Sequence, residues 1–178
     1  FFAFFGANAG GQLALVQRML AVPSALVASS FGDVLHARAG TAAATQGASL
    51  MDMVGPAQRR LVIVAAFVYL PIILLAPSLF APVFGNAWLD AGVYAAVLAP
   101  MVAAWTVASP LTRIFLVRNR LRVKLTFDVL NMVVPIGALA VMRPLGPLAS
   151  LAAYSVGGCL VAVGVVVMAR RLSTGAFA

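Results

Sequence analysis

The sequence contains no glutamate, one histidine, one cysteine and only four acidic residues, all of them aspartate, in 178 positions. So few titratable groups leave little material for general acid–base chemistry. No paired-carboxylate, G-x-S-x-G, H-E-x-x-H or Walker-type motif occurs, and an enzyme is not expected. Cys159 stands alone inside an apolar run, so it offers neither an internal disulfide nor a Cys-rich metal site and reads as a small apolar packing residue. Charged residues make up only 9% of the chain. What is abundant is apolar surface: 63% of residues are hydrophobic and the mean hydropathy is +1.07. A soluble fold of this size leaves too much of its surface in water to hide that excess, so lipid is the expected solvent.

A bilayer core needs about 20 mostly apolar residues per helix. Five segments meet that length, near residues 13–35, 61–80, 92–117, 125–142 and 148–169. The expected fold is all-α, a polytopic transmembrane bundle of about five helices, with residues 1–178 forming one transmembrane region. Phe1 to Phe5 read as the tail of a preceding span. The chain opens without Met and without a basic n-region followed by an A-x-A-like site, so no signal peptide is read and a piece of a longer protein is expected.

Basic residues alternate between the links. Arg38, Arg59 and Arg60 lie between the first two spans, and Arg118, Arg120, Arg122 and Lys124 between the third and fourth. Arg170 and Arg171 follow the fifth. The second link carries only Asp90 and the fourth only Arg143. By the positive-inside rule the basic links and the C-terminal tail are cytoplasmic, and the first span enters from outside. The net charge of +8 in a soluble protein would suggest nucleic acid. Here the charge sits at span ends, where it sets topology and meets anionic headgroups, so membrane lipids are expected partners and nucleic acid is not.

Proline falls in or near every span: Pro23, then Pro71 and Pro77, Pro100 and Pro110, Pro135, and Pro147 at the start of the fifth. Interior proline removes a helix hydrogen bond and kinks the helix, as is common in transporters. Ser24, Ala28 and Gly32 form one small-residue face; Ala153 with Gly157 and Gly158 with Ala162 form others that allow close helix approach. In the second link, Pro77 and Pro82 are expected to end the second span. Phe84 and Trp88, four apart, are expected on one face of a short turn at the outer interface, with Asp90 just ahead of the third span.

The run Leu79-Phe80-Ala81-Pro82-Val83-Phe84-Gly85-Asn86-Ala87-Trp88-Leu89-Asp90-Ala91-Gly92 resembles the "LF…FG..W..AG" pattern of polysaccharide exporters. Tyr94, Leu98-Ala99-Pro100 and Ala108-Ser109-Pro110-Leu111 resemble the "ILAP…SPL" stretch that follows it. Leu13 to Pro23, with Gln17 and Arg18, is similar to an upstream helix of the same pattern. These exporters are the O-antigen and capsule flippases of the multidrug/oligosaccharidyl-lipid/polysaccharide superfamily, and the likeness runs from about Gly11 to Arg171. The resemblance implies twelve or fourteen helices with both ends cytoplasmic, these five being the last. It further implies an N-terminal helical bundle of the same protein as partner, a lipid-linked oligosaccharide as cargo, and ion-coupled alternating access in the cell inner (cytoplasmic) membrane. It calls for no cofactor and no metal.

Four residues are candidates for function. Arg18 lies about 10 Å inside the outer end of the first span if that helix starts near Gly11. An intramembrane arginine facing a cavity would attract the diphosphate or an acidic sugar of the cargo, whereas one facing lipid would snorkel to the headgroups. Gln17 points to a different side and is not expected to share the role. Asn131 is a candidate cavity or interhelical hydrogen-bond donor. Asp33, near the cytoplasmic end of the first span with His36 and Arg38 behind it, is a candidate proton- or sodium-coupling acid or an interfacial residue paired with a nearby base. Asp128, four after Lys124, is a second coupling candidate or the partner of that lysine in the first turn of the fourth span. Arg113 is read as snorkelling inward. Two alternatives to a flippase remain. A multidrug/cation antiporter of the same superfamily would want an acid deep in a span. The other is a non-transporting scaffold subunit of a glycan-assembly complex.

Overall fold

In the computed structural model the backbone is described for residues 1–42, 50–117 and 120–173, and the side chains for residues 1–27, 58–112 and 120–171 together with Pro56 and Phe115. Five helices follow one another: α1 (Phe2–Ala42), α2 (Leu50–Phe84), α3 (Leu89–Val117), α4 (Leu121–Val141) and α5 (Pro147–Ser173). Single 3-10 turns, Asn86–Trp88 and Arg143–Leu145, join α2 to α3 and α4 to α5. No strand occurs among the described residues. Four stretches are long and apolar enough to cross a membrane: Gln58–Phe84, Asn86–Thr112, Leu121–Val141 and Pro147–Arg171. Within the described residues α1 is not one of these four, because Gln12, Gln17 and Arg18 dilute its apolar content. The fold defines a class: an all-α, multi-pass membrane protein. Its large outward-facing apolar side chains, Phe67, Leu74, Val141 and Leu160 among them, face the lipid that such a bundle requires.

Helix α3 is the hub. It packs against α1, α2 and α5, while α4 leans on α5 and lies at the periphery. Its buried face is built from small residues, Ala91, Gly92, Ala95, Ala99 and Ala108, which let neighbouring backbones approach. One core cluster gathers Val16, Tyr69, Tyr94, Leu98 and Leu151 between α1, α2, α3 and α5. A second joins Phe115 of α3 to Val165 and Ala169 of α5, with Phe127 of α4 stacked on Phe115 at 6.1 Å and 8°.

The small-residue faces of α5 divide between two partners. A Cβ on Gly157 would lie 3.3 Å from the Pro135 Cα of α4, whereas one on Gly158 would run into the Met101 side chain of α3. Adjacent glycines therefore serve opposite neighbours, as their roughly 100° separation around the helix dictates. On α1, Ser24 meets α2, while the side chains of Ala28 and Gly32 lie outside the described residues.

Helix boundaries depart from the sequence expectation in one systematic way. Pro77 and Pro82 do not end α2; the helix runs through both to Phe84 and also contains Pro56 and Pro71. In lipid a broken helix exposes backbone groups that nothing outside can satisfy, so the chain keeps helical form through proline and lets neighbours absorb the lost bonds. The stop is Gly85, with φ of 92°, where the Gly85 N–H still donates to the Ala81 carbonyl at 2.8 Å. That break places Phe84 on α2 and Trp88 in the 3-10 turn, so they do not share a helical face: Phe84 is exposed, and Trp88 packs on the core. Asp90, expected just ahead of the third span, falls inside the first turn of α3, because that helix already starts at Leu89. Helix α4 starts at Leu121 rather than near residue 125, so Asp128 lies in its second turn, beyond the strongest reach of the helix dipole. Gly6 breaks α1 in the same manner as Gly85 (φ of 82°) and sets Phe2–Phe5 apart as a single turn.

The two ends of the bundle are tied together separately. At one end the Phe1 ring meets Tyr94 edge-on at 6.2 Å, and the Arg143 guanidinium lies 4.8 Å from the centre of the Phe4 ring. At the other, Arg170 Nε donates to Gln58 Oε1 at 3.0 Å. The sparsely charged links thus gather at one end and the Gln58–Arg171 region at the other, the arrangement that an up-and-down bundle needs if charge sets sidedness.

Candidate functional site

Leu13, Gln17, Leu20, Ala21 and Ser24 recur at helical spacing along one face of α1, where Leu20 is buried and Gln17 and Ala21 are exposed. That face, with α3, α4 and α5, lines a half-open cavity of about 430 Å³. Most of its wall is apolar. Gln17, Ser24 and Tyr154 bring the polar groups, Met101 forms part of the α3 side, and Phe1 and Phe4 cover one end. Such a mixture, largely apolar with a few convergent polar atoms, is the usual make-up of a ligand pocket.

Gln17 lines this cavity and Arg18 does not. The sequence reading had set Gln17 aside in favour of its neighbour. Successive helical residues are about 100° apart, so the two face different directions. Arg18 shares an uncovered face with Val22 and Ala25, all three exposed. Because the helical turns of α1 begin earlier than Gly11, Arg18 lies about 18 Å along the axis from the Gly6 break. A guanidinium on an open helix face in lipid would require water, an anion or further helices beside it.

Behind the cavity wall three hydroxyls from three helices meet. Ser24 Oγ lies 2.6 Å from Tyr69 Oη, which lies 3.2 Å from Thr106 Oγ1. Ser24 also donates to the Leu20 carbonyl at 3.0 Å and Thr106 to the Val102 carbonyl at 2.8 Å. Once both protons are given to backbone carbonyls, only the Tyr69 proton remains, and it goes to the nearer Ser24. The Tyr69–Thr106 contact is then filled only when Thr106 shares its proton between Tyr69 and Val102. Tyr69 is 1% exposed, and the node fixes α1, α2 and α3 at one point, with Ser24 at the cavity wall. Nothing in the sequence pairs positions 24, 69 and 106; the small-residue face of α1 was the only hint that Ser24 met a neighbour. Among the described residues two buried side-chain polar atoms have no partner: Gln12 Oε1, whose own amide donates weakly to Asn8 Oδ1 at 3.4 Å, and Trp105 Nε1.

The other candidates are dispersed. Asn131 is half-buried on α4 and forms no side-chain hydrogen bond with a described residue, and the α4 wall of the cavity is Ile136 and Leu139 instead. Asp128 pairs with Lys124 on the outer side of α4. That pair is solvent- or headgroup-facing, so Asp128→Asn is expected to change stability by less than about 0.5 kcal/mol, measured as a thermal transition in detergent. The side chains of Asp33, His36, Arg38, Arg113 and Arg118 lie outside the described residues. Among the described residues no group of three metal-ligating side chains is found. No family model matches the chain, and neither a curated protein nor a solved structure does.

Proposed function

We propose that this chain is the C-terminal membrane segment of a flippase-like exporter, a non-enzymatic protein moving a polyprenyl-diphosphate-linked oligosaccharide across the cytoplasmic membrane by ion-coupled alternating access. The observation that carries the reading is the uncovered face of α1. It holds Arg18 about 18 Å along α1 from the Gly6 break, beside a cavity that the adjacent Gln17 lines. A cation exposed in mid-membrane costs several kcal/mol unless an anion or water accompanies it, and a diphosphate is the anion best matched to a guanidinium fork. The half-open cavity and the proline-containing helices suit a bundle that rocks against a second one around a midplane site. The resemblance of Leu79–Gly92 and its flanking residues to polysaccharide exporters supplies the cargo class.

The test is export by the full-length protein in cells whose own flippase has been removed. Arg18→Ala is expected to lower surface glycan at least tenfold with membrane abundance unchanged, and Arg18→Lys to retain part of it, because a lysine keeps the charge and loses the bidentate fork. Wild-type export from Arg18→Ala, together with no retention of lipid-linked glycan by the purified protein, overturns the proposal.

A further inference from the structure

Residues 1–5 reach the cavity as a separate turn. Gly6 has φ of 82° and ψ of 179°, a backbone geometry that essentially only glycine adopts, and a Cβ there would meet nothing within 4 Å. Three phenylalanines of this segment each meet a different receiver. The Phe2 ring lies against Gly10 of α1, where a Cβ would stand 2.6 Å from its ring atoms. The Phe1 ring meets Tyr94 of α3 edge-on, and the Arg143 guanidinium of the α4–α5 link lies over the Phe4 ring. Phe1 and Phe4 also line the cavity, so the turn ties α1, α3 and the α4–α5 link together over one end of it.

The turn itself is lightly packed. None of residues 1–9 is buried, and Gly10 is the first buried position of α1. Few buried contacts, next to a glycine with open space around it, are what a hinged segment needs. Arg143 is the one basic residue of the two sparsely charged links, where topology gains nothing from a cation. Among the described residues its side chain forms no hydrogen bond or ion pair, and the Phe4 ring is the group it meets. Behind the turn, the side chains of Gln17 and Tyr154 line the cavity without a hydrogen bond to any described residue, so their polar groups are open to whatever enters. We propose that Phe1–Phe5 is a hinged aromatic cap that opens and closes this end of the cavity, with Gly6 as the hinge and the Arg143–Phe4 contact as the latch. A guanidinium is drawn to the negative face of an aromatic ring strongly enough to bias the cap shut and weakly enough to release it. The cap governs access to Gln17 and Tyr154 whatever cargo the cavity takes, so it does not rest on the cargo proposed above.

The experiment follows the rate at which a charged, membrane-impermeant maleimide reacts with Gln17→Cys. It uses the full-length protein in bilayer nanodiscs, with the other cysteines, Cys159 included, replaced. Arg143→Gln and Phe4→Leu are each expected to speed the reaction about two- to fivefold, the strength of one cation–π contact. Arg143→Gln is expected to add nothing once Phe4→Leu is present, because both changes release the same latch. Arg143→Lys is expected to keep most of the slow rate, since an ammonium also sits on the ring face. Gly6→Ala strains the closed backbone and is expected to speed the reaction about fivefold or more. Ala87→Cys, exposed in the turn between α2 and α3, is expected to react at one rate in every background. Unchanged labelling of Gln17→Cys in Arg143→Gln and Phe4→Leu overturns the cap. So does an Arg143→Gln effect that persists in Phe4→Leu, or an equal acceleration at Ala87→Cys, which would mean that the whole end of the bundle had loosened.

Discussion

Gly92→Ala is expected to destabilise the bundle by about 3 kcal/mol or more, and Gly92→Leu to leave no folded protein. A Cβ at this position would lie 2.6 Å from the Ala76 carbonyl oxygen, 3.0 Å from Phe80 Cβ and 3.1 Å from Pro77 Cα. Two of those atoms are backbone, so no rotamer change makes room; α2 and α3 must separate. Pro77 stiffens the site further, since its ring already fixes the local backbone of α2. The control is Gly137→Ala on α4, where a Cβ would meet nothing within 4 Å. There the added methyl improves helix propensity by up to about 1 kcal/mol and is expected to be neutral or stabilising. Thermal transitions and size-exclusion profiles of the two variants in the same detergent decide the matter. Equal behaviour would mean that the α2–α3 crossing is looser than its geometry implies.

Tyr69→Ala is expected to cost about 3–5 kcal/mol, while Tyr69→Phe costs about 1 kcal/mol or less. The large effect comes from the ring, which is 1% exposed and sits in the cluster shared by α1, α2, α3 and α5. The small effect follows from the proton count at the node. Ser24 and Thr106 already donate to the Leu20 and Val102 carbonyls, so removing the Tyr69 hydroxyl leaves neither donor unpaired. The hydroxyl therefore acts mainly to register three helices against one another. Unfolding of both variants, with Ser24→Ala and Thr106→Val beside them, tests this. A loss for Tyr69→Phe as large as for Tyr69→Ala would show that the hydroxyl node, not the ring, holds the helices together.

Much of the architecture could be read from the chain. Apolar runs of membrane length named the helices, because in lipid only a helix or a closed barrel satisfies its own backbone. The same rule explains where the reading went astray: it took Pro77 and Pro82 as stops, although a helix in that setting tolerates proline and ends at Gly85, where a positive φ turns the chain. The Lys124–Asp128 pair was legible because i, i+4 spacing is local geometry.

The candidate site was legible only in part. Sequence singled out a polar pair, Gln17 and Arg18, within the first apolar segment, although the start of α1 that sets their place along the helix came from the structure. Which of the two meets the cavity depends on the rotation of α1 about its axis, and that is set by packing against α3, not by anything local to residues 17 and 18. The hydroxyl node and the Gln58–Arg170 bridge were invisible for the same reason, since each joins residues far apart in the chain whose positions carry no periodic signal. The sequence by itself determined the solvent, the helical class and the alternation of charge, because these are sums over local composition. The tertiary structure alone decided which faces meet, because helix rotation and close approach are settled by the shapes of many side chains at once.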